Sequence, residues 1–425
     1  MNNFIKSIDW FSILIYACLV FIGWINIYST TYSADHQGLM NLDTFHGKQL
    51  MFIIVSFITI IIILAIETKF YERFSSVIYI ATIISLAGLY LFGKNINGAT
   101  SWYAIGGMTL QPSEFAKAAT ALALANYVSD IQTDLSSFKD LLKAFAIICL
   151  PALLIIPQPD PGSALVYLAF FFVLYREGLS ANYLLIGVFG IMIFVATLLF
   201  GTLWVTLGTI AALIFLYLVY KRTKRKVSVF KLIGVMLVTV AVSYSVSFIY
   251  DHVFEQRHRD RFSLWLRLEN DPSKLDHIRK TIGYNTYQSE SAIGSGGFSG
   301  KGFLEGTRTK GNFVPEQHTD YIFSTVGEEW GFLGSGLVVL LFAVLVLRIL
   351  FLAERQKSVF SRIYGYSVAS ILFFHFAINI GMVIGLLPTI GIPLPFFSYG
   401  GSGLLGFTLL LFIFIKLDAN RINEW

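Results

Sequence analysis

Asp251-His-Val-Phe-Glu-Gln-Arg-His-Arg-Asp-Arg-Phe262 opens a charged block that runs to Val326 in a chain otherwise close to hydrocarbon. The block holds ten of the 31 Lys and Arg residues and ten of the 26 Asp and Glu. It contains the glycine run Gly294-Ser-Gly-Gly-Phe-Ser-Gly-Lys-Gly302 and the cluster Pro315-Glu-Gln-His-Thr-Asp320. A long charged segment hung between membrane helices must face water or a polar substrate. Any chemistry is therefore expected mainly in 251–326.

Outward from this block the composition is that of a membrane protein. The 425 residues are 56% hydrophobic and 13% charged, with a mean hydropathy of +0.69. Soluble domains carry roughly 25% charged residues, so the fold class is an all-α polytopic membrane protein. The whole of 1–425 reads as a single membrane domain, with 251–326 as its large extracytoplasmic loop. Cys18 and Cys149 both lie in apolar runs and read as buried free thiols. The net charge of +5 is modest and fits basic cytoplasmic loops, so nucleic acid is not an expected partner. No small-residue cleavage site follows the first apolar run, so a retained first helix is expected.

A membrane helix needs about 20 apolar residues. Spans are expected near 10–29, 49–66, 75–92, 113–128, 141–156, 162–175, 182–200, 203–220, 231–250, 328–350, 361–386 and 401–416. The count is about ten to twelve, the difference being one hairpin. With Lys6 inside, the even-numbered gaps fall inside and carry Lys69, Arg73, Lys139, Arg176, the run Lys221-Arg-Thr-Lys-Arg-Lys226, Arg355, Lys357, Arg362, Lys416 and Arg421. That bias fits the positive-inside rule. It places 251–326 outside, with 94–112 and 387–400 on the same face. Two polar breaks, Gln158-Pro-Asp-Pro-Gly162 and Pro388-Thr-Ile-Gly-Ile-Pro-Leu-Pro395, interrupt the membrane region and point to a cavity opening outward.

Glu114 and Lys117 stand three apart at the start of a membrane helix, Gln111-Pro-Ser-Glu-Phe-Ala-Lys117. They share a face. Pro112 suits the first turn and Ser113 can cap. The plain reading is an ion pair that orients the helix. The functional reading is a lysine that meets an anionic substrate while Glu114 holds it, because intramembrane charges usually line a cavity. The glycine run fails both the Walker and the G-x-G-x-x-G patterns. It is either a flexible turn or a backbone that approaches a phosphate, with Lys301 and Arg308 beside it. Glu316, His318 and Asp320 are further acids and bases, and Asp271 before Pro272 suits a turn. No Cys/His metal spacing and no Gly-x-Ser-x-Gly elbow is present.

At these residues the chain resembles the SEDS family of shape, elongation, division and sporulation proteins, which includes RodA, FtsW and SpoVE. The resemblance covers nearly the whole chain. It rests on Asn97-Gly98, Ser101-Trp102, Gln111-Pro-Ser-Glu114 with Lys117, Gln158-Pro-Asp-Pro-Gly-Ser-Ala164 and Gly283-Tyr284 with Gln288-Ser289. It continues through Ala292-Ile-Gly-Ser-Gly-Gly297, Gly300-Lys-Gly302, Pro315-Glu-Gln-His-Thr-Asp-Tyr-Ile-Phe323, Glu328-Glu329 and Gly391-Ile-Pro-Leu-Pro-Phe-Phe-Ser-Tyr-Gly-Gly-Ser402. Gly306-Thr307 and the Pro-Glu-Gln-His spelling resemble the RodA branch more than FtsW. Where the family commonly has a basic residue before the Trp of the first outer loop, this chain has Thr100-Ser101.

The resemblance implies a peptidoglycan glycosyltransferase. It would polymerise lipid II, the undecaprenyl-pyrophosphate-linked disaccharide-pentapeptide, at the outer face of the cytoplasmic membrane during cell elongation. A class B penicillin-binding protein and other elongasome membrane proteins are the implied partners. The family's essential loop aspartate falls on Asp271, with Asp276 in the longer insert Ser273–Ile282 as the competing assignment. Asp271 is expected as the catalytic base, with Glu114, Lys117, Lys301, His318 and Asp320 as the substrate-binding surroundings. A divalent cation, Mg or Mn, could bridge pyrophosphate and a carboxylate; its ligands are unassigned. The family has about ten spans, so 177–250 can hold an extra helical hairpin, which preserves the sidedness of the loop. The alternatives are a lipid II flippase, the FtsW-type division polymerase, and a scaffold that only recruits the crosslinking enzyme.

Overall fold

The computed structural model describes residues 6–32, 41–96, 98–106, 108–223, 228–254, 256–268, 271, 273, 276, 278, 280–281 and 283–421. In chain order the helices and strands are α1 (Trp10–Thr31), α2 (Phe45–Ala65), α3 (Thr68–Phe92), β1 (Lys94–Ile96), β2 (Ala99–Ile105), β3 (Met108–Leu110), α4 (Pro112–Ser129) and α5 (Phe138–Ile155). Then come α6 (Pro161–Arg176), α7 (Ala181–Arg222), α8 (Val229–Phe248), α9 (Gln256–Leu266), α10 (Tyr284–Gly296), α11 (Thr307–Lys310), α12 (Ile322–Glu329), α13 (Gly331–Glu354), α14 (Val359–Val383) and α15 (Gly401–Asn420). The protein is an all-α polytopic membrane protein. Among the described residues eight helices, α1, α2, α3, α7, α8, α13, α14 and α15, are long and apolar enough to cross a bilayer. Each of the twelve stretches expected from hydropathy falls mostly on helical backbone, though 361–386 overruns the helix end at Val383 and 328–350 crosses the break at Trp330. Two compact units emerge, residues 1–179 with 285–425, and 180–284. The charged block is shared between them.

In the first unit α4 is the centre. Its run Ala116-Lys-Ala-Ala-Thr-Ala-Leu-Ala-Leu-Ala125 is almost all buried, and its small side chains let α3, α5, α14 and α15 pack close around it. Gln111 precedes the helix and Pro112 occupies its first turn. Ser113 does not cap, contrary to expectation: its hydroxyl points to that of Ser163, 3.5 Å away. α1, α2 and α13 complete the bundle. Cys18 and Cys149 are free thiols, but Cys149 is exposed on the outer surface of α5, because an apolar run does not say which face looks outward.

One end of this unit is laced by ion pairs. Arg348 of α13 holds Asp9, which caps α1. Arg355 reaches Asp418 of α15 at 2.6 Å, Arg362 reaches Glu177 at 2.8 Å, and Arg176 reaches Glu354 at 2.9 Å. The opposite end carries the polar loops. There β1, β2 and β3 form a small antiparallel sheet that was not expected from the sequence. It is seated by Thr100 N and Ser101 Oγ on the Gln158 carbonyl, at 3.2 and 3.3 Å, and by the Tyr103 hydroxyl on the Ser85 carbonyl of α3.

The second unit contains α7, α8 and α9. Drawn straight, the 42 residues of α7 would measure about 63 Å, twice the roughly 30 Å of a bilayer core. Gly201, with φ +79°, bends it sharply into two arms of membrane-spanning length. A cleft of about 660 Å³ lies between the arms, lined by Phe189, Met192 and Ala196 on one and Val205, Thr209 and Leu213 on the other. α8 is tied to both arms by Thr197–Ser243 at 2.9 Å and Thr202–Ser247 at 2.6 Å.

Candidate functional site

The floor of the site is the pair Glu114 and Lys117. They are 4% and 1% exposed, and Lys117 Nζ lies 2.8 Å from both Glu114 oxygens. The same ammonium lies 2.9 Å from His375 Nε2 of α14 and 4.7 Å over the Phe407 ring of α15. Both expected residues are thus in one cluster, and His375 is an addition. A lone imidazole inside Phe373-Phe-His-Phe376, at the middle of a membrane helix, is the signal that could have found it.

The loop 388–400 closes over this floor. Pro393 O lies 3.3 Å from His375 Nδ1, and Asn379 Nδ2 donates to both Ile392 O, at 2.6 Å, and Asp320 O, at 2.7 Å. Tyr399 N donates to His318 O at 2.9 Å, and Ser398 Oγ to Thr319 O at 2.7 Å. His318 and Asp320 therefore lie against the loop that His375 links to Lys117. The His318 ring stacks on Phe45 at 4.2 Å, and burial pulls its pKa below the usual histidine value. The other polar break joins in as well. Gln111 Nε2 donates to Asp160 at 3.0 Å, Gln111 N to Ser402 Oγ at 3.0 Å, and a Cβ on Gly162 would stand 2.9 Å from Gly391 O. Phe396, in the left-handed region at φ +64°, is buried against Tyr16 and Phe407 and makes the turn.

Lys301 occupies a different position. Its Nζ lies 2.7 Å from Glu328 Oε1, and Glu328 is fully buried. Glu328 also accepts from the Arg308 and Thr309 amides, both at 2.9 Å, and from the Thr309 hydroxyl at 2.8 Å. Burial pushes its pKa up, but these donors outweigh burial and hold it below the ordinary carboxylate value. Burial raises neighbouring Glu329, whose Oε1 takes a 2.5 Å bond from Ser29 Oγ. The glycine run reads differently in the structure than in sequence. Gly296 and Gly300 lie directly against the backbone of Gly327 to Trp330, so close helix packing requires them.

A comparison with known proteins then decides the kinship. The sequence profile of the FtsW/RodA/SpoVE family, described as "Cell cycle protein", matches residues 9–207 and 191–423. The chain belongs to the FtsW/RodA/SpoVE family. It is 32% identical over 396 residues to the peptidoglycan glycosyltransferase MrdB of Escherichia coli, covering 93% of this chain and 87% of the relative. It is 30% identical to the peptidoglycan glycosyltransferase RodA of Treponema pallidum, covering 98% and 99%. Among solved structures, a chain of a peptidoglycan synthase complex superposes with a TM-score of 0.72 at 23% identity, covering 98% of this chain and 99% of that one. Thermus thermophilus RodA gives 0.63 at 21% identity, covering 98% of each chain. These two share the fold.

Within this FtsW/RodA/SpoVE member, the two candidate aspartates lie in the second unit. Asp271 is exposed, and its Oδ1 accepts from Ser273 N at 3.0 Å and Ser273 Oγ at 2.7 Å. Asp276 is engaged by Lys280 at 2.6 Å, an exposed pair one helical turn apart. The glutamate, lysines, histidine and aspartate of the proposed surroundings belong to the first unit. Among the described residues no group of three His, Cys, Asp or Glu gathers as a metal site.

Proposed function

We propose that this chain polymerises lipid II into glycan strands by inverting glycosyl transfer at the outer face of the cytoplasmic membrane, in service of cell elongation. The match along nearly its full length to relatives named peptidoglycan glycosyltransferases carries the reading. The buried Glu114–Lys117 pair beneath polar loops at one end of an apolar bundle supports it. A charged floor in such a bundle fits a substrate with an anionic pyrophosphate and a long apolar tail.

In this mechanism the acceptor hydroxyl attacks the anomeric carbon of the donor, whose α-linked pyrophosphate leaves as the β-linkage forms. The hydroxyl proton passes to the Asp271 carboxylate, which Ser273 orients through one oxygen. Cations must meet the charge that develops on the departing pyrophosphate. Lys301 and Arg308 are assigned that contact, Lys301 by exchanging Glu328 and Arg308 by exchanging Gln288. Lys117 already has three acceptors in the structure, two carboxylate oxygens and an imidazole nitrogen. It acts on pyrophosphate only by exchanging one of them. His318 and Asp320 line the approach beside the 388–400 loop. A divalent cation, if used, would take most of its ligands from pyrophosphate and water, as Mg²⁺ commonly does. A class B penicillin-binding protein is the proposed crosslinking partner.

The test is polymerisation of lipid II by the purified full chain, alone and with that partner, for wild type, Asp271→Asn and Asp276→Asn. Loss confined to Asp271→Asn, at unchanged melting temperature, is expected. The opposite pattern moves the base into the insert. Transbilayer movement of lipid II in liposomes without any polymerisation replaces the polymerase with a transporter.

A further inference from the structure

The Glu114–Lys117 pair is complete without α14. Both residues are on α4, three apart, and the ammonium is bonded to both carboxylate oxygens. His375 adds no neutralising charge to that pair. It adds a third fixed point for the ammonium, 2.9 Å away, from a helix that is distant in sequence. An ammonium has three donors and no acceptor, so His375 Nε2 must present its lone pair. The hydrogen is then on Nδ1, which faces Pro393 O at 3.3 Å. One tautomer satisfies both ends at once.

Asn379 stands one turn further along the same helix and grips the adjacent carbonyl, Ile392 O, together with Asp320 O. Successive turns of α14 thus hold successive carbonyls of a proline-rich loop that forms no sheet or helix of its own. The route from Asp320 through Asn379, the 392–393 backbone and His375 ends at Lys117. All three of His375, Asn379 and Lys117 are 1% exposed or less.

We infer that His375 is a positioning residue that couples the 388–400 loop to the Lys117 ammonium, through Nε2 to the amine and Nδ1–H to the Pro393 carbonyl. The inference rests on the polymerase reading for its effect on turnover, and on geometry alone for the coupling itself. Loss of the outer partners that orient metal ligands costs about 10–100-fold in affinity or activity, and a loss at the lower end of that range is expected for a partner that orients an ammonium.

Two measurements separate these parts. The first is kcat and KM for lipid II with His375→Phe, which keeps the ring and removes both bonds, and His375→Gln, whose amide oxygen replaces Nε2 as acceptor. His375→Phe is expected to lose at least about tenfold in kcat with KM changed by less than about threefold, and His375→Gln to recover most of the loss. A kcat within threefold of wild type in His375→Phe, or no recovery in His375→Gln at equal melting temperature, overturns the positioning role. The second is amide hydrogen exchange over 388–400, which needs no turnover. Faster exchange is expected in His375→Phe and also in Lys117→Met. Exchange that responds to His375→Phe and ignores Lys117→Met removes the coupling while leaving the polymerase reading intact. If wild type fails to polymerise yet the exchange pattern holds, the proposed function falls and the coupling stands.

Discussion

Gly296 of α10 lies directly on the backbone of Gly327 in α12: a methyl group on Gly296 would overlap the Gly327 carbonyl oxygen and stand 2.9 Å from that of Glu328. Gly294, two residues earlier, has nothing within 4 Å of the same position. Gly296→Ala should therefore destabilise the protein by about 1–3 kcal/mol through overpacking, and Gly294→Ala should not. Thermal unfolding in detergent of the two variants checks this. Equal melting temperatures would return the glycine run to a flexible turn.

Glu328 titrates with a defined sign. Its folded pKa is held below the model-peptide value of 4.5, with Lys301 and the 308–309 amides prevailing over burial. The unfolded chain therefore binds more protons in that range. The stability this contributes is present above 4.5 and is lost as pH falls through the folded value. Melting temperature should drop from about pH 6 to pH 4 more steeply in wild type than in Glu328→Gln. Parallel slopes would show that Glu328 is not the group responsible.

Lys117→Ala strands Glu114 in the bundle and should lower stability by on the order of 3 kcal/mol. Glu114→Gln with Lys117→Met removes both charges and should regain most of that stability without regaining polymerisation. Normal polymerisation by the double variant would make the pair an orienting device only.

Sidedness is checked by thiol labelling. Ser299→Cys and Ser228→Cys, each in a background lacking Cys18 and Cys149, are exposed positions in the two loops expected on opposite faces. With a membrane-impermeant reagent on cells stripped of any outer membrane, Ser299→Cys should label and Ser228→Cys should not. The reverse would put the glycine run and Lys301 in the cytoplasm, away from the proposed substrate.

Much of this was open to a reading of the sequence. Long apolar runs report helices directly, and even the bend at Gly201 showed as the gap between the stretches ending at 200 and starting at 203. Glu114 and Lys117 were legible because charges are rare at that depth. The partner of Lys117 was not, because His375 is 258 residues away and only tertiary packing brings it in. The β1–β3 sheet was missed because its strands are short, two of them three residues long, and glycine-rich turns hide them. Cys149 was misplaced because, in a bilayer, apolar sequence suits the lipid-facing surface as well as the core.

The approach of α15 to α4 carries one more implication. A Cβ on Gly406 would sit 3.0 Å from the Cβ and the carbonyl oxygen of Glu114, so the two backbones meet at the level of the charged pair. Glycine there draws α15 against the carboxylate, and Phe407 beside it covers the ammonium. Any side chain at 406 must therefore push α15 away from α4, and the helix that moves is the one whose Phe407 shields the buried charge.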